Sequence, residues 1–219
     1  MALKVAQFTF NLFQEQCYAV WDETTRDAVV IDPGCSMEVE WNSLKLFVER
    51  EELNVRHILV THSHVDHVMG TAWCTRTWHL PIEGSVDDEL LLPTPQEQVY
   101  LFNLEHQQVH HSPISVPLKD GDSVMMGDHK IEVLDVPGHS PHGLCYLFRE
   151  EKMLFSGDVL FYCSVGRTDF GESFGCSWRA LLGGIEEKLM TLPEDTAVFP
   201  GHGPQTSIGN EKKYNPYLI

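Results

Sequence analysis

The sequence predicts an α/β domain of layered sheets and helices, and three observations lead there. Short apolar runs alternate with amphipathic helical stretches along the whole chain. No Ser/Gly-rich linker, shift in composition, repeat or low-complexity tract divides it. Histidine- and aspartate-bearing turns follow directly on four of the apolar runs. At roughly 100–200 residues per domain, 219 residues allow one large domain or two small ones. The undivided pattern favours one, spanning 1–219.

The elements follow in order. Lys4 to Phe10 alternates as a half-buried strand does, and Cys17–Trp21 and Ala28–Ile31 are short β-branched or aromatic runs split by the polar turn at 22–25. Asp32-Pro33-Gly34 brings turn chemistry, and Ser36 is placed to cap a helix. Trp41, Leu44, Phe47 and Val48 form its apolar stripe against Glu38, Glu40, Lys45 and Glu49. Val55–Thr61 is a strand, mostly apolar and so central. Met69–Trp78 reads as a helix. Residues 84–113, with Pro93, Pro95 and Pro113, many acids and no clean period, read as a helix-containing excursion at the rim of the fold. Strands are expected at Ser115–Pro117, Ser123–Met126, Lys130–Val136, Cys145–Phe148 and Met153–Ser156. Trp178, Leu181, Leu182, Ile185 and Leu189 mark an amphipathic helix, Thr196–Phe199 a last strand and Ser207–Lys213 a short last helix.

The formal net charge is −17, which repels polyphosphate and offers no basic face, so nucleic-acid and anionic-membrane partners are not expected. No stretch approaches 18 consecutive apolar residues, and the start has no signal-peptide pattern, so a cytoplasmic location is expected. The six cysteines form no Cys-x-x-Cys pair and read as reduced thiols, with Cys163 and Cys176 in buried packing.

Twelve histidines carry the functional argument. Thr61-His62-Ser63-His64-Val65-Asp66-His67, Pro137-Gly138-His139, Ser156-Gly157-Asp158 and Pro200-Gly201-His202-Gly203 each follow an expected strand. Strand-end loops project side chains from rigid supports toward one sheet edge, so five imidazoles and two carboxylates can converge there. That donor set suits zinc, iron or manganese. His62 and His64, alternating in an extended turn, can reach one ion. Asp66 and His67, one helical step later, can reach a second, and the two oxygens of Asp158 can bridge both. Two ions roughly 3.5–4 Å apart polarise an acyl oxygen and hold a nucleophilic hydroxide between them. His57, His79, His106, His110, His111 and His129 read as structural or solvated.

These motifs resemble the signature of the metallo-β-lactamase fold superfamily. Within it, Val165-Gly166-Arg167-Thr168-Asp169-Phe170 and the closing Pro200-Gly201-His202-Gly203-Pro204 look like the short glyoxalase II-like hydrolases. The resemblance covers nearly the whole chain, from Gln16-Cys17-Tyr18 and Asp32-Pro33-Gly34 to Glu211 and Asn215-Pro216. It implies an αββα sandwich of two mixed sheets packed face to face with helices outside. It implies two divalent metal ions, zinc first, with iron or manganese as alternatives. His62, His64 and His139 would bind the first ion, Asp66, His67 and His202 the second, and Asp158 would bridge. The implied activity is hydrolysis of a small-molecule hydroxyacyl-thioester such as S-lactoylglutathione, with Asp66 also steering the proton of the attacking hydroxide.

Arg167 is the candidate to clamp a substrate carboxylate; its other reading is an ion pair with Asp169 that holds the loop. Relatives commonly read Pro-Gly-His-Thr-x-Gly-His, whereas here Pro141-His142-Gly143 exchanges glycine and histidine, and no role is carried to His142. Only seventeen residues follow His202, so the C-terminal helical extension of the longer glyoxalase II enzymes is not expected. The acidity of 84–113 argues against a strongly anionic substrate entering from that side. The rival readings are a mononuclear iron persulfide dioxygenase of the same fold, using His62, His139 and Asp158, and a non-catalytic metal-binding module.

Overall fold

The computed structural model describes residues 2–104, 106–171 and 174–218, so Glu105 of the expected excursion lies outside them. Two six-stranded mixed sheets stack face to face. The first runs β1 (Leu3–Phe10), β2 (Glu15–Asp22), β3 (Asp27–Ile31), β4 (Asn54–Leu59), β5 (Ile82–Gly84), β6 (Ile114–Pro117) in spatial order, antiparallel to β3 and parallel beyond it. The second is built from β7 (Ser123–Met126), β8 (His129–Asp135), β9 (Leu144–Phe148), β10 (Met153–Gly157), β13 (Ala197–Pro200) and β14 (Thr206–Ser207), with β10 and β13 parallel. A small ribbon, β11 (Leu160–Phe161) with β12 (Ser164–Val165), stands beside them.

Strand alternation explains the layering. Val29 and Ile31 face the space between the sheets with Tyr18, Tyr146, Phe148, Phe155 and Phe199. Their neighbours Ala28 and Val30 face outward and meet Trp41, Leu44 and Val48 of α1 (Glu38–Arg50). On the second sheet Cys145, Leu147 and Leu154 face outward against Leu181, Ile185 and Leu189. Both faces of each sheet are therefore covered, so central strands read as continuous apolar runs rather than alternating ones. The αββα sandwich follows.

The structure adjusts several expectations. Ser36 does not cap α1. Met37 is the N-cap, and the Glu40 carboxylate accepts hydrogen bonds from the backbone N–H groups of Ser36 (2.7 Å), Met37 (3.1 Å) and Asn11 (2.8 Å). A glutamate in the first turn answers orphan N–H groups as well as a serine does, and it also complements the helix dipole. The helix expected over 69–78 is α3 (Thr71–Trp78), which starts two residues later with Gly70 as its N-cap, and a separate single turn, α2 (Val65–Val68), precedes it. Gly70 packs against Cys35 and Pro33 too closely for a side chain. The excursion contains α4 (Val86–Leu91) and α5 (Pro95–Leu101), the latter opened by Thr94 and Glu97 in a capping box. The amphipathic helix begins as α6 (Trp178–Gly184) and widens to π geometry over Ile185–Leu189. The final helix is α7 (Ile208–Tyr214), with Ser207 as its N-cap. Cys163 and Cys176 are half-buried rather than buried, whereas the other four thiols are buried. Among the described residues no helix is long and apolar enough to cross a membrane.

Candidate metal centre

Four strand ends meet at one edge of the sandwich. After β4 the chain passes through Val60 and Thr61 into His62–His67. After β8 it reaches His139, after β10 Asp158, and after β13 His202. Main-chain hydrogen bonds lock these loops together: Leu144 N–H to Thr61 O (2.7 Å), Gly201 N–H to Gly157 O (2.8 Å) and Gln16 N–H to Gly201 O (2.8 Å). Gly201 must be glycine, since a Cβ there would lie 2.2 Å from Asp158 Oδ1 and 2.8 Å from the His67 ring. Gly138, at φ +131°, would drive a Cβ to 2.5 Å from the Ser177 carbonyl.

The structure brings together His62, His64 and His139 as one group of ligand atoms within 4.8 Å, and Asp66, His67 and His202 as another. Asp158 lies between them, with Oδ2 3.4 Å from His139 Nε2 and 3.5 Å from His202 Nε2, and Oδ1 3.5 Å from His67 Nε2. All seven are buried except His202, which is half-buried.

The hydrogen bonds fix the tautomers of four rings. His139 Nδ1 meets the Arg167 carbonyl at 2.8 Å and His202 Nδ1 the Phe13 carbonyl at 3.0 Å; carbonyls only accept, so both Nδ1 atoms donate. His67 Nδ1 donates to Asp32 Oδ2 at 3.0 Å. Thr61 gives its hydroxyl proton to Asp32 Oδ2 at 2.6 Å and so accepts from His62 Nδ1 at 3.1 Å. Each ring therefore turns a bare Nε2 lone pair inward, the form in which imidazole binds a metal. The Nε2 atoms of His64, His67 and His139 and Oδ1 of Asp158 are buried without a hydrogen-bond partner. Orphans of this kind are costly unless something answers them. The donor set fits divalent metal.

The electrostatics agree. Burial, reinforced by the neighbouring imidazoles, pushes His62 well below the usual histidine range, and burial takes His64 down to about 3. Burial also lowers His139. For Asp158 burial works upward, but His202 and His67 outweigh it and hold the carboxyl well below its usual range. His67 is the exception: burial pulls it down, yet Asp66, Asp158 and Asp32 together raise it well above. Burial also pulls His202 down, but Asp158 and Asp66 raise it. The group of His62, His64 and His139 thus holds neutral imidazoles, whereas His67 and His202 are held toward the cation by the carboxylates around them.

Several contributors escaped sequence reasoning. Asp32, read only as turn chemistry and part of the family resemblance, anchors both His67 and Thr61, the latter also through its backbone N–H at 2.7 Å. Asp88 accepts from the N–H groups of Ser63 and His142, both at 2.8 Å, tying the two histidine loops together. Gln98 accepts from Val65 N–H (2.8 Å) and donates to the Ser63 carbonyl (2.9 Å). The excursion over 84–113 therefore clamps the His62–His67 loop besides forming a rim. Glu15, fully buried with both oxygens unpartnered, stands near Asp32 and His67, and burial pushes its carboxyl well above the usual range. No local sequence signal marks Asp88, Gln98 or Glu15, because their partners are distant along the chain. His142 turns away from the cluster and pairs with Asp135 at 3.0 Å. Arg167 makes a two-point ion pair with Asp169 at 2.8 and 2.9 Å, so the loop-holding reading describes the structure, although Arg167 also lines the cavity over the centre.

That cavity, about 390 Å³, opens on the cluster and is otherwise lined largely by phenylalanines. Residues 11–202 match the model of the metallo-beta-lactamase superfamily. The hydroxyacylglutathione hydrolase GloC of Haemophilus influenzae is 33% identical over 207 residues, which cover 94% of this chain and 93% of GloC. Among solved structures, the B3 metallo-beta-lactamase BLEG-1 superposes with a TM-score of 0.86 at 32% identity, covering 98% of this chain and 99% of that one. TTHA1623, solved in a di-iron-bound form, gives a TM-score of 0.80 at 33% identity over 97% of this chain and 100% of its own. With the sandwich, the strand-end cluster and a family match over most of its length, this chain belongs to the metallo-β-lactamase superfamily.

Proposed function

We propose that the chain, acting as a single hydrolase domain over 1–219, is a dinuclear metal-dependent thioester hydrolase of the glyoxalase II kind. The observation that carries this reading is the position of Asp158. It is within 3.5 Å of ring nitrogens from both groups of ligand atoms, so one carboxylate could serve two ions. His62, His64 and His139 would hold one, and Asp66, His67 and His202 the other. Zinc suits this set, as do iron and manganese. When bound, the pair supplies Lewis-acid polarisation of the acyl oxygen and a water acidic enough to attack at neutral pH.

The chain's own residues do the rest. Asp66 lines the cavity, and His67 and His202 outweigh the effect of its burial to keep it ionised, so its carboxylate can accept the proton of the attacking water. The carbonyls of Arg167 and Phe13 and the Asp32 carboxylate hold His139, His202 and His67 in one orientation, with each Nε2 aimed at the centre. Arg167 could reach a substrate carboxylate by releasing Asp169, since their ion pair is exposed and screened by solvent.

GloC's activity favours a thioester over a β-lactam as substrate. The dioxygenase alternative would use only His62, His139 and Asp158 and leave Asp66, His67 and His202 without a task. The test is steady-state hydrolysis of S-lactoylglutathione by metal-loaded protein, with Asp158→Ala as the blank. Turnover that falls by about 10³-fold or more in the variant, with loss of bound metal, is expected. Oxygen uptake with glutathione persulfide, in place of thioester turnover, would overturn the reading in favour of the dioxygenase.

A further inference from the structure

Apart from the metal cluster, the cavity is lined by Phe13, Phe102, Phe161, Phe170 and Arg167. Phe13, Phe102 and Phe170, with Phe174 behind them, form a connected wall, and Phe161 stands apart from it. Phe170 packs edge-on against His64 (5.4 Å between centroids) and His139 (5.8 Å), against Phe102 (5.8 Å) and beside Phe174 (5.7 Å). Phe102 continues to Phe13 at 6.2 Å, and Phe161 stands beside His202 at 6.3 Å. Phenylalanines thus flank both ligand groups, the connected wall at His64 and His139 and Phe161 at His202. Arg167 is committed to Asp169 through two nitrogens and lies over the Phe170 ring at 4.7 Å. Among the described lining residues, no neutral side chain outside the cluster can donate or accept a hydrogen bond.

Such a wall treats acyl groups unequally. A hydroxyl on the part of the acyl chain that lies against the phenylalanines leaves water without a partner, which costs binding. A methylene or an aromatic ring gains from the same transfer. A heavily charged thiol meets one engaged cation within a chain of net charge −17. The volume, about 390 Å³, is within the range of small-molecule pockets.

Resting on the thioesterase reading above, we propose that the site selects thioesters with an apolar acyl group, a medium alkanoyl or arylacetyl chain, over hydroxyacyl ones, and that Phe102 and Phe170 set this specificity. The reaction is ordinary hydrolysis. The acyl C–S bond breaks and a C–O bond to water forms; the products are the carboxylic acid and the thiol, which takes the second proton of water.

The test uses zinc-loaded full-length protein and one neutral thiol. S-butyryl, S-hexanoyl, S-phenylacetyl and S-lactoyl N-acetylcysteamine are compared by kcat/KM. We expect a rise of about fourfold per added methylene, with hexanoyl and phenylacetyl at least tenfold above lactoyl. Phe102→Ser should shrink that preference to within threefold, whereas Phe102→Leu keeps most of it; Phe170→Leu is the second probe should Phe102→Ser fail to fold. In parallel, calorimetry on metal-free protein compares the inert thioethers S-hexyl and S-(2-hydroxypropyl) N-acetylcysteamine. Lactoyl turnover equal to or faster than hexanoyl overturns the specificity while leaving the thioesterase standing. No turnover of any thioester, with S-hexyl still bound tenfold more tightly, removes the thioesterase and keeps the apolar pocket. Equal binding of the two thioethers overturns the pocket.

Discussion

Histidines occur in two kinds of place in this molecule, and the contrast separates function from scaffolding. At the strand-end edge His64, His67 and His139 each leave a buried Nε2 unanswered. In His57 and His129, on the flanks of the sandwich, both ring nitrogens are used. His57 Nδ1 meets Glu83 at 2.6 Å, and its Nε2 meets the Met125 carbonyl at 3.1 Å. His129 bridges Glu151 and Asp22, the latter at 2.8 Å. Titration separates His57 and His129 from three of the edge histidines, His67 at the edge being raised by its carboxylates. The Glu83 hydrogen bond raises His57 against the effect of burial, and hydrogen bonds to Asp22 and Glu151 overcome burial to raise His129. His62, His64 and His139 are pushed down. A scaffold histidine is stabilised as a cation by its own carboxylates. The three at the edge are kept neutral with lone pairs free, which costs stability unless a cation outside the chain takes them.

The contrast can be broken most directly by supplying and withdrawing metal. Metal at a hundred times its dissociation constant should stabilise the fold by about 2.7 kcal/mol. At about 2–4 °C per kcal/mol for a chain of this size, that is a Tm gain of roughly 5–11 °C that a chelator reverses. Replacing His129 should leave this gain intact and replacing His139 should abolish it; an equal gain in both variants would mean that the two kinds of histidine do not differ as argued.

Asp32 sharpens the contrast from behind the site. Asp32→Ala removes the acceptor for His67 Nδ1 and for Thr61, which frees both the ring and the tautomer. A loss of about 10–100-fold in metal affinity is expected by competition titration. Wild-type affinity in this variant would show that the outer contacts do not orient the ligands.

The smallest effect is on the flank. With its folded pKa raised, His129 contributes stability that is full below its unfolded value, about 6.5, and that fades as pH rises through the folded pKa. Urea midpoints measured with metal present should fall over that window in the wild-type protein and fall less in His129→Gln. A slope unchanged by the substitution would assign the pH dependence elsewhere.

How far the sequence could be read depended on the range of each interaction. β3 and β9 are legible because both faces are buried, so Val29-Val30-Ile31 and Cys145-Tyr146-Leu147 are uninterrupted apolar runs. β5, β11, β12 and β14, only two or three residues each, carry too little pattern to stand out. Most residues of the candidate centre are visible because each histidine or aspartate directly follows a strand. Asp88 and Gln98 are not, since they reach Ser63 and Val65 from 25 and 33 residues away. Ser36 is a reasonable cap by local chemistry; the N-cap is Met37 instead, and Glu40 reaches back to its N–H and to that of Asn11, 29 residues away.

By itself the sequence determined the layered α/β class, the order of its main elements and the family resemblance, because backbone periodicity and metal-ligand spacing are properties of short stretches. Only the tertiary structure decided that Asp158 stands between two groups of ligands, that Asp32 sets the tautomers of His62 and His67, and that phenylalanines from positions 13, 102, 161 and 170 line one cavity. Those relations join segments with no common period, and side chains so far apart in sequence become neighbours only when the two sheets pack.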